Sequence, residues 1–110
     1  MAVTAPSYNT NDGSPSSWSG AIDSITSGAE GSNDKRLMFI SAGNVTLDEL
    51  ASSHFHDANI LHGVENPGQA WNAVTVGAYT DDITLDDPQY EGFSAVADCG
   101  DISPYSSTSY

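Results

Sequence analysis

The sequence predicts an α/β fold with a largely parallel sheet, and three stretches of the chain lead to that prediction. Apolar residues recur at helical spacing over residues 18–29, a continuous apolar run fills residues 37–40, and β-branched residues are frequent at 73–79. A further strand stub at residues 2–5 precedes the helix. A helix between strands is typical of a crossover unit, whose strands run parallel and whose connection is right-handed.

The first helix is expected to begin near Ser14 and to end at Gly28. Ser14 is a suitable N-cap, Pro15 suits the first helical position, and glycine is common just after a helix. Trp18, Ala21, Ile22, Ile25 and Ala29 form one apolar stripe at helical spacing. We expect that stripe, including Trp18, to pack in the core.

The run Leu-Met-Phe-Ile at 37–40 predicts a strand, because it is too short for a helix and does not alternate. Such runs are typical of strands covered on both faces of a parallel sheet. Two or three strands cannot shield both faces, so we expect this chain to be an internal part of a larger domain. The small residues of Ser-Ala-Gly-Asn at 41–44 leave room for a ligand to approach the backbone.

Fewer regular elements are predicted after the buried strand. Residues 46–49 match a capping box and predict a short helix through Ser52. Residues 53–68 are expected to be irregular, with Trp71 packed beneath them, and residues 81–88 form an acidic loop.

The net charge of -13 excludes several classes of partner. Such a surface repels phosphate backbones and anionic membranes, so we expect neither nucleic acid nor a membrane as partner. Residues 1–6 lack the basic and apolar regions of a signal peptide. Cys99 is the only cysteine and has acidic neighbours, which makes a nucleophilic role improbable.

Three segments, in this order, resemble the subtilisin-like serine peptidases (the peptidase S8 or subtilase family). They are LMFISAGN at 37–44, NPGQAWNAVTVGA at 66–78 and the serine-rich SPYSSTS at 103–109, which resembles a strand of the family. The resemblance covers most of the chain. It implies a three-layer α/β sandwich with a mainly parallel sheet, incomplete here, with residues 1–110 as the central part of one catalytic domain.

The same resemblance implies roles for four residues at the end of the buried strand. Asn44 matches the asparagine whose side-chain N–H stabilises the oxyanion of acyl transfer. Ser41, Ala42 and Gly43 match one wall of the pocket for the substrate residue before the scissile bond, and residues 3–5 match the opposite wall. The family order Asp, His, Ser places the triad outside this chain, so we expect the isolated chain to be inactive.

Asn44 also has two competing interpretations. A Gly-Asn pair often stabilises a turn, and the asparagine side chain would then be engaged by its own loop. Asn44-Val45-Thr46 is in addition a formal glycosylation sequon, and a glycan there would exclude the donor role.

Metal sites are weaker predictions. His54, His56 and His62 would share zinc only if the first two alternated on a strand, and a surface loop is the favoured interpretation, so no metal ligand is predicted. Asp81, Asp82, Asp86 and Asp87 offer oxygen ligands for calcium, which subtilisin relatives often bind, but their spacing matches no loop pattern. No cofactor is required for the expected chemistry, and calcium remains open.

Two functions follow, from different classes. The first is a serine-type endopeptidase acting on polypeptides, with this chain completed by the remainder of its own catalytic domain. The alternative is a non-catalytic α/β binding module, or a degenerate subtilase, with an acidic and calcium-binding surface. Asp-Ser/Thr-Gly and His-Gly-Thr motifs upstream, with Gly-Thr-Ser downstream, would favour the enzyme.

Overall fold

A computed structural model describes residues 2–3, 14–29, 31, 34–52 and 54–108. The elements are β1 (Ala2–Val3), α1 (Ser17–Ser27), β2 (Phe39–Ser41), α2 (Leu47–Ser52), α3 (Phe55–Leu61), β3 (Val74–Val76) and a 3-10 turn (Pro88–Tyr90). No helix among these residues has the length and apolar character needed to cross a bilayer. The elements β1, α1 and β2 follow one another in the predicted order of strand, helix and strand.

The three strands form one parallel sheet in the order β1-β2-β3. Val3 pairs with Ile40, and Ile40 pairs with Thr75, so β2 is the central strand. The parallel α/β prediction is confirmed at this level. The described residues supply a sheet with a helix on one face, and they do not show the second helix layer of a three-layer sandwich.

Helix α1 begins two residues later than predicted. Ser16, not Ser14, is the N-cap, because it forms a capping box with Ser19. The Ser19 N–H donates to Ser16 Oγ at 3.1 Å, and the Ser16 N–H donates to Ser19 Oγ at 2.8 Å. The helix ends as predicted at Gly28, whose φ of 76° lies in the left-handed region that favours glycine.

The buried stripe of α1 differs from the predicted one. Trp18 is 40% exposed, so its expected place in the core is wrong. Ser19, Ile22 and Thr26 are buried instead. The two hydroxyls can be buried because both donate to helix carbonyls: Ser19 Oγ to Ser16 O at 2.9 Å, and Thr26 Oγ1 to Ile22 O at 2.8 Å.

The core lies between α1 and one face of the sheet. Its buried members are Ile22, Met38, Ile40 and Ala70, with Ile25 and Ala73 packed against them. The other face of β2 is open: Phe39 is 48% exposed and Leu37 is 64% exposed. Within the described residues, the strand expected to be covered on both faces is covered on one.

Helix α3 was not predicted, since residues 53–68 were expected to be irregular. Its buried face consists of Phe55, Ala58 and Asn59, and the asparagine interrupts the apolar pattern that would have indicated a helix. Asn59 is buried because it links two segments. Its Nδ2 donates to Ser106 O at 2.8 Å, and Thr108 Oγ1 donates to Asn59 O at 2.9 Å.

Two other packing expectations are corrected. Trp71 is 86% exposed, so it does not pack beneath residues 53–68. Residues 103–108 form isolated bridges rather than a strand of the sheet: Ser106 pairs with Asn44, and Thr108 pairs with Gly63. The predicted helix after residue 46 is confirmed as α2, where Thr46 N–H donates to Glu49 Oε2 at 2.7 Å.

Candidate functional site

The carboxyl end of β2 carries the four residues selected from the sequence. Ser41 ends the strand, and the Ala42 N–H donates to Val76 O at 2.9 Å, which extends the pairing with β3 by one residue. Ala42 and Gly43 are buried, whereas Asn44 is exposed. The backbone therefore leaves the interior of the molecule and reaches solvent at residue 44.

Asn44 is held through its backbone. It forms an antiparallel bridge with Ser106, the Val45 N–H donates to Tyr105 O at 2.9 Å, and the Ser107 N–H donates to Gly43 O at 3.2 Å. Within the described part of the chain, no hydrogen bond engages the side-chain amide of Asn44. The main chain is thus fixed on both sides of an accessible amide group.

Gly43 is required by its conformation and by a close neighbour. Its φ is 115°, in the left-handed region, and an ideal Cβ there would lie 2.6 Å from Cγ of Glu65. The same Cβ would lie 2.8 Å from Glu65 Oε2. A glutamate side chain therefore covers the residue directly before Asn44.

The position of Glu65 is set by its backbone. Its N–H donates to Ala42 O at 2.8 Å, and its carbonyl accepts from the Gly68 N–H at 2.7 Å. A Cβ at Gly68 would lie 2.5 Å from Cγ1 of Val64 and 3.3 Å from Ser41 O, so only glycine allows this turn to pack on the strand end. The turn and the end of β2 form one tightly packed unit.

Two carboxylates and a histidine set the charge around this unit. Burial raises the pKa of Glu65, the charge of Glu49 raises it further, and His62 opposes both. The pKa of Glu49 is lowered, mainly by the hydrogen bond from the Thr46 side chain. His62 Nε2 lies 3.6 Å from Glu49 Oε1. The surroundings of Gly43 are therefore acidic.

The expected opposite wall is described only in part. Val3 lies in β1, directly beside Ile40, and residues 4 and 5 fall outside the described residues. Because β1 and β2 are parallel, their carboxyl ends meet at the same edge of the sheet. Ligands of open α/β sheets bind at that edge.

Comparison with known protein families identifies the relationship. The model of the peptidase S8 family, described as the subtilase family, matches residues 1–110, which is the whole chain. The chain belongs to the subtilase family. No curated protein and no solved structure matches it significantly. The family is one of serine-type peptidases, hydrolases whose substrates are polypeptides.

The histidines of this subtilase do not form the geometry that the zinc hypothesis needs. His54 is the N-cap of α3, His56 lies in its first turn and His62 follows its last residue, so no strand presents them together. The rings of His54 and His56 stack with their centroids 6.3 Å apart. Among the described residues, no three His, Cys, Asp or Glu side chains are grouped to hold one ion.

The acidic loop of this subtilase uses two of its carboxylates in local hydrogen bonds. Asp82 Oδ1 accepts from the Thr84 hydroxyl and, at 2.8 Å, from the Thr84 N–H, and these hydrogen bonds lower the pKa of Asp82. Asp87 caps the 3-10 turn by accepting from the Gln89 N–H at 3.0 Å. Calcium binding by this loop stays a prediction.

Glu65 is the residue near the site that sequence reasoning missed. It belongs to no motif, and 22 positions separate it from Gly43 along the chain. The available signal was indirect: the resemblance places residues 66–78 after the pocket wall, and Glu65 directly precedes that segment. Only the fold shows that the turn brings its side chain onto Gly43.

Proposed function

We propose that this chain supplies the oxyanion hole and part of the substrate pocket of a serine endopeptidase that works through an acyl-enzyme. Asn44 is the oxyanion donor, and Ser41, Ala42 and Gly43 form one wall of the pocket. One observation carries the proposal: in a subtilase, Asn44 presents an exposed side-chain amide where the central strand of a parallel sheet ends.

The chemistry explains why an amide is needed at this point. A serine oxygen bonds to the scissile carbonyl carbon while a histidine takes its proton, and the carbonyl oxygen becomes negative. The Asn44 side chain donates an N–H to that oxygen, and a backbone N–H at the nucleophile is the second donor. When the intermediate collapses, the C–N bond breaks and the histidine returns the proton to the leaving amine.

The energetic value of Asn44 depends on a rigid support. An oxyanion donor contributes because it is aimed before the charge develops, so little reorganisation accompanies the reaction. Here, the bridge to Ser106 and the bond from Val45 to Tyr105 hold the backbone on the far side of the residue. On the near side, Ala42 is held by Val76 of β3.

Ser106 and Ser107, in the serine-rich segment, do not suit the role of nucleophile. Ser106 and Ser107 are 3% and 2% exposed, and Ser106 Oγ donates to Ser107 O at 3.1 Å. The sequence also has no Gly-Thr-Ser, Asp-Ser/Thr-Gly or His-Gly-Thr motif. We therefore propose that the triad comes from the remainder of the catalytic domain.

The proposal is tested on the full-length protein, meaning this chain with whatever precedes and follows it in its gene. A fluorophosphonate probe, which reacts with activated serines, is expected to label it. The isolated 110-residue chain should not be labelled. A folded, processed full-length protein that remains unlabelled would contradict the proposal and favour the non-catalytic module.

Asn44 is tested by the substitution Asn44→Ala. We expect kcat to fall about 10²–10³-fold with little change in KM, since the interaction forms only with the oxyanion; this magnitude was measured in subtilisin itself. Asn72→Ala is the matched control, because Asn72 is also exposed and uses its backbone N–H, not its side chain, to bond Asp23. Equal kcat values for the two variants would show that Asn44 is not an oxyanion donor.

A further inference from the structure

We propose that Glu65 makes the pocket beside Asn44 select substrates with a lysine or arginine before the scissile bond. The inference rests on the proposed function, because it assumes that Ser41, Ala42 and Gly43 line that pocket. It adds a fourth lining residue and a substrate class.

The Glu65 side chain lies directly beside Gly43 of the proposed pocket wall. The Glu65 side chain occupies the space that a Cβ of Gly43 would fill, with Cγ, Cδ and Oε2 at 2.6, 2.7 and 2.8 Å from that point. Gly43 is the residue before Asn44, so the carboxyl group stands one residue from the proposed oxyanion donor. A substrate side chain lying along residues 41–43 would meet a carboxylate.

The turn that carries Glu65 is fixed by hydrogen bonds of its backbone. The Glu65 N–H and carbonyl are both hydrogen-bonded, to Ala42 O and from Gly68 N. The Val64 carbonyl accepts from Gln69 Nε2 at 2.6 Å, and Pro67 and Gly68 are buried. The backbone of the turn is thus anchored on the wall, which fixes the point from which the Glu65 side chain extends.

The negative charge of Glu65 is compensated only in part, by His62, which carries a positive charge only when it is protonated. No hydrogen bond or salt bridge within the described residues engages the Glu65 carboxylate. Lys35 and Arg36 are the only lysine and arginine of the chain, and they precede β2, at the opposite end of the strand from Gly43. The neighbouring charge of Glu49 adds to the negative potential. A substrate ammonium or guanidinium would supply the missing positive charge.

The surroundings of the Glu65 carboxyl group disfavour its charged form. Burial and Glu49 raise the pKa of Glu65, which means that its charged form is under-stabilised in the empty site. A cation within about 4–6 Å reverses that effect. The same charges oppose an acidic substrate side chain.

The experiment uses the full-length protein and tetrapeptide p-nitroanilides that differ only in the last residue: lysine, norleucine, glutamine or glutamate. Norleucine has the length of the lysine side chain without its charge. We expect kcat/KM for lysine to exceed that for norleucine by about tenfold or more. Glutamate should be the poorest substrate of the series.

The variants isolate the charge. Glu65→Gln should reduce the lysine-to-norleucine ratio to within about twofold of one, with the norleucine rate nearly unchanged. Glu65→Lys should favour glutamate. Asp48→Asn, which removes an exposed carboxylate of α2, is the control and should leave the ratio as in the wild type.

Each outcome decides between the two proposals. Hydrolysis with an unchanged ratio in Glu65→Gln would overturn the role of Glu65 and leave the peptidase proposal standing. A wild-type protein that neither reacts with fluorophosphonate nor cleaves any substrate would overturn both. If the Glu65 variants do not fold, the wild-type ratio decides: it should fall as salt rises from 0.05 to about 0.5 M, since added ions screen a partly exposed charge pair. A salt-independent ratio near one would refute the selection.

Discussion

The two faces of the sheet differ sharply although residues 37–40, which lead into β2 and form most of it, are all apolar. Met38 and Ile40 point to α1 and are 7% and 1% exposed, whereas Phe39, on the opposite face, is 48% exposed. Val74 and Val76 of β3 share that open face and are 42% and 50% exposed. Hydrophobicity alone therefore does not identify the residues that stabilise this chain; the neighbouring layer does.

The largest effect should come from Ile40→Ala, which tests the covered face. Removing a nearly inaccessible isoleucine leaves a cavity and is expected to lower the free energy of unfolding by about 2–5 kcal/mol. Urea unfolding of the full-length protein, inhibited with fluorophosphonate to prevent autolysis, measures that change. A loss below about 0.5 kcal/mol would contradict the described core.

Phe39→Ala is the matched variant on the open face. In the 110-residue chain we expect it to retain the amide exchange protection of β2 that Ile40→Ala loses. In the full-length protein we expect the two variants to converge, with Phe39→Ala costing about 3–5 kcal/mol, if the rest of the domain covers this face. If Phe39→Ala still lowered the stability of the full-length protein much less than Ile40→Ala does, this face would be open in the full-length protein as well.

Asn59→Ala tests whether burial, rather than hydrophobicity, decides how much a residue contributes to stability. Asn59 is polar but 2% exposed, and the truncation leaves the buried Ser106 carbonyl without its best donor, so we expect a loss of about 1–3 kcal/mol. The neighbouring Ile60 is apolar but 57% exposed, and Ile60→Ala should change stability by only about 0.5 kcal/mol. The reverse ranking by urea unfolding would refute the contrast.

Gly68→Ala and Gly20→Ala extend the comparison to the backbone. The added methyl group at Gly68 meets Val64 and the Glu65 carbonyl, so we expect a loss of about 1–3 kcal/mol. At Gly20, within α1, nothing lies within 4 Å, and alanine should stabilise by about 0.5–1 kcal/mol. Differential scanning calorimetry should therefore shift the two melting temperatures in opposite directions.

The smallest effect is the pH dependence from Glu65. Its folded-state pKa is raised above 4.5, so its contribution to stability is full below pH 4.5 and is lost as pH rises through the raised value. Glu65→Gln should therefore be more stable than the wild type at pH 7 and nearly equal to it at pH 4. Asp82→Asn is the control of opposite sign, because the pKa of Asp82 is lowered and its contribution is lost as pH falls.

The sequence predicted those parts of the fold whose signals are local. The capping box of α2, the glycine that ends α1 and the apolar run of β2 each depend on neighbouring residues. Helix α3 was missed because the reason for burying Asn59 lies 47 positions away, at Ser106. Trp18 was misplaced because hydroxyls satisfied by helix carbonyls took the buried positions.

The candidate site divides in the same way. Asn44 and the pocket wall follow from a recognisable run of residues, in which Asn44 is exposed and Ala42 and Gly43 are buried. Their catalytic roles remain predictions until activity is measured. Glu65 could not be found from the sequence, since its approach to Gly43 depends on a turn packed against Ser41.

The bridges to residues 106 and 108 have one more consequence. The excursion that carries α2 and α3 departs at Asn44 and returns at Gly63, and it is fastened at both points to residues only two apart, Ser106 and Thr108. Its two ends are therefore clamped close together, whatever its length. Since each doubling of a closed loop costs only about 0.6 kcal/mol, insertions and deletions can accumulate there without displacing the strand end. The length of this excursion therefore has little effect on the free energy of closing it.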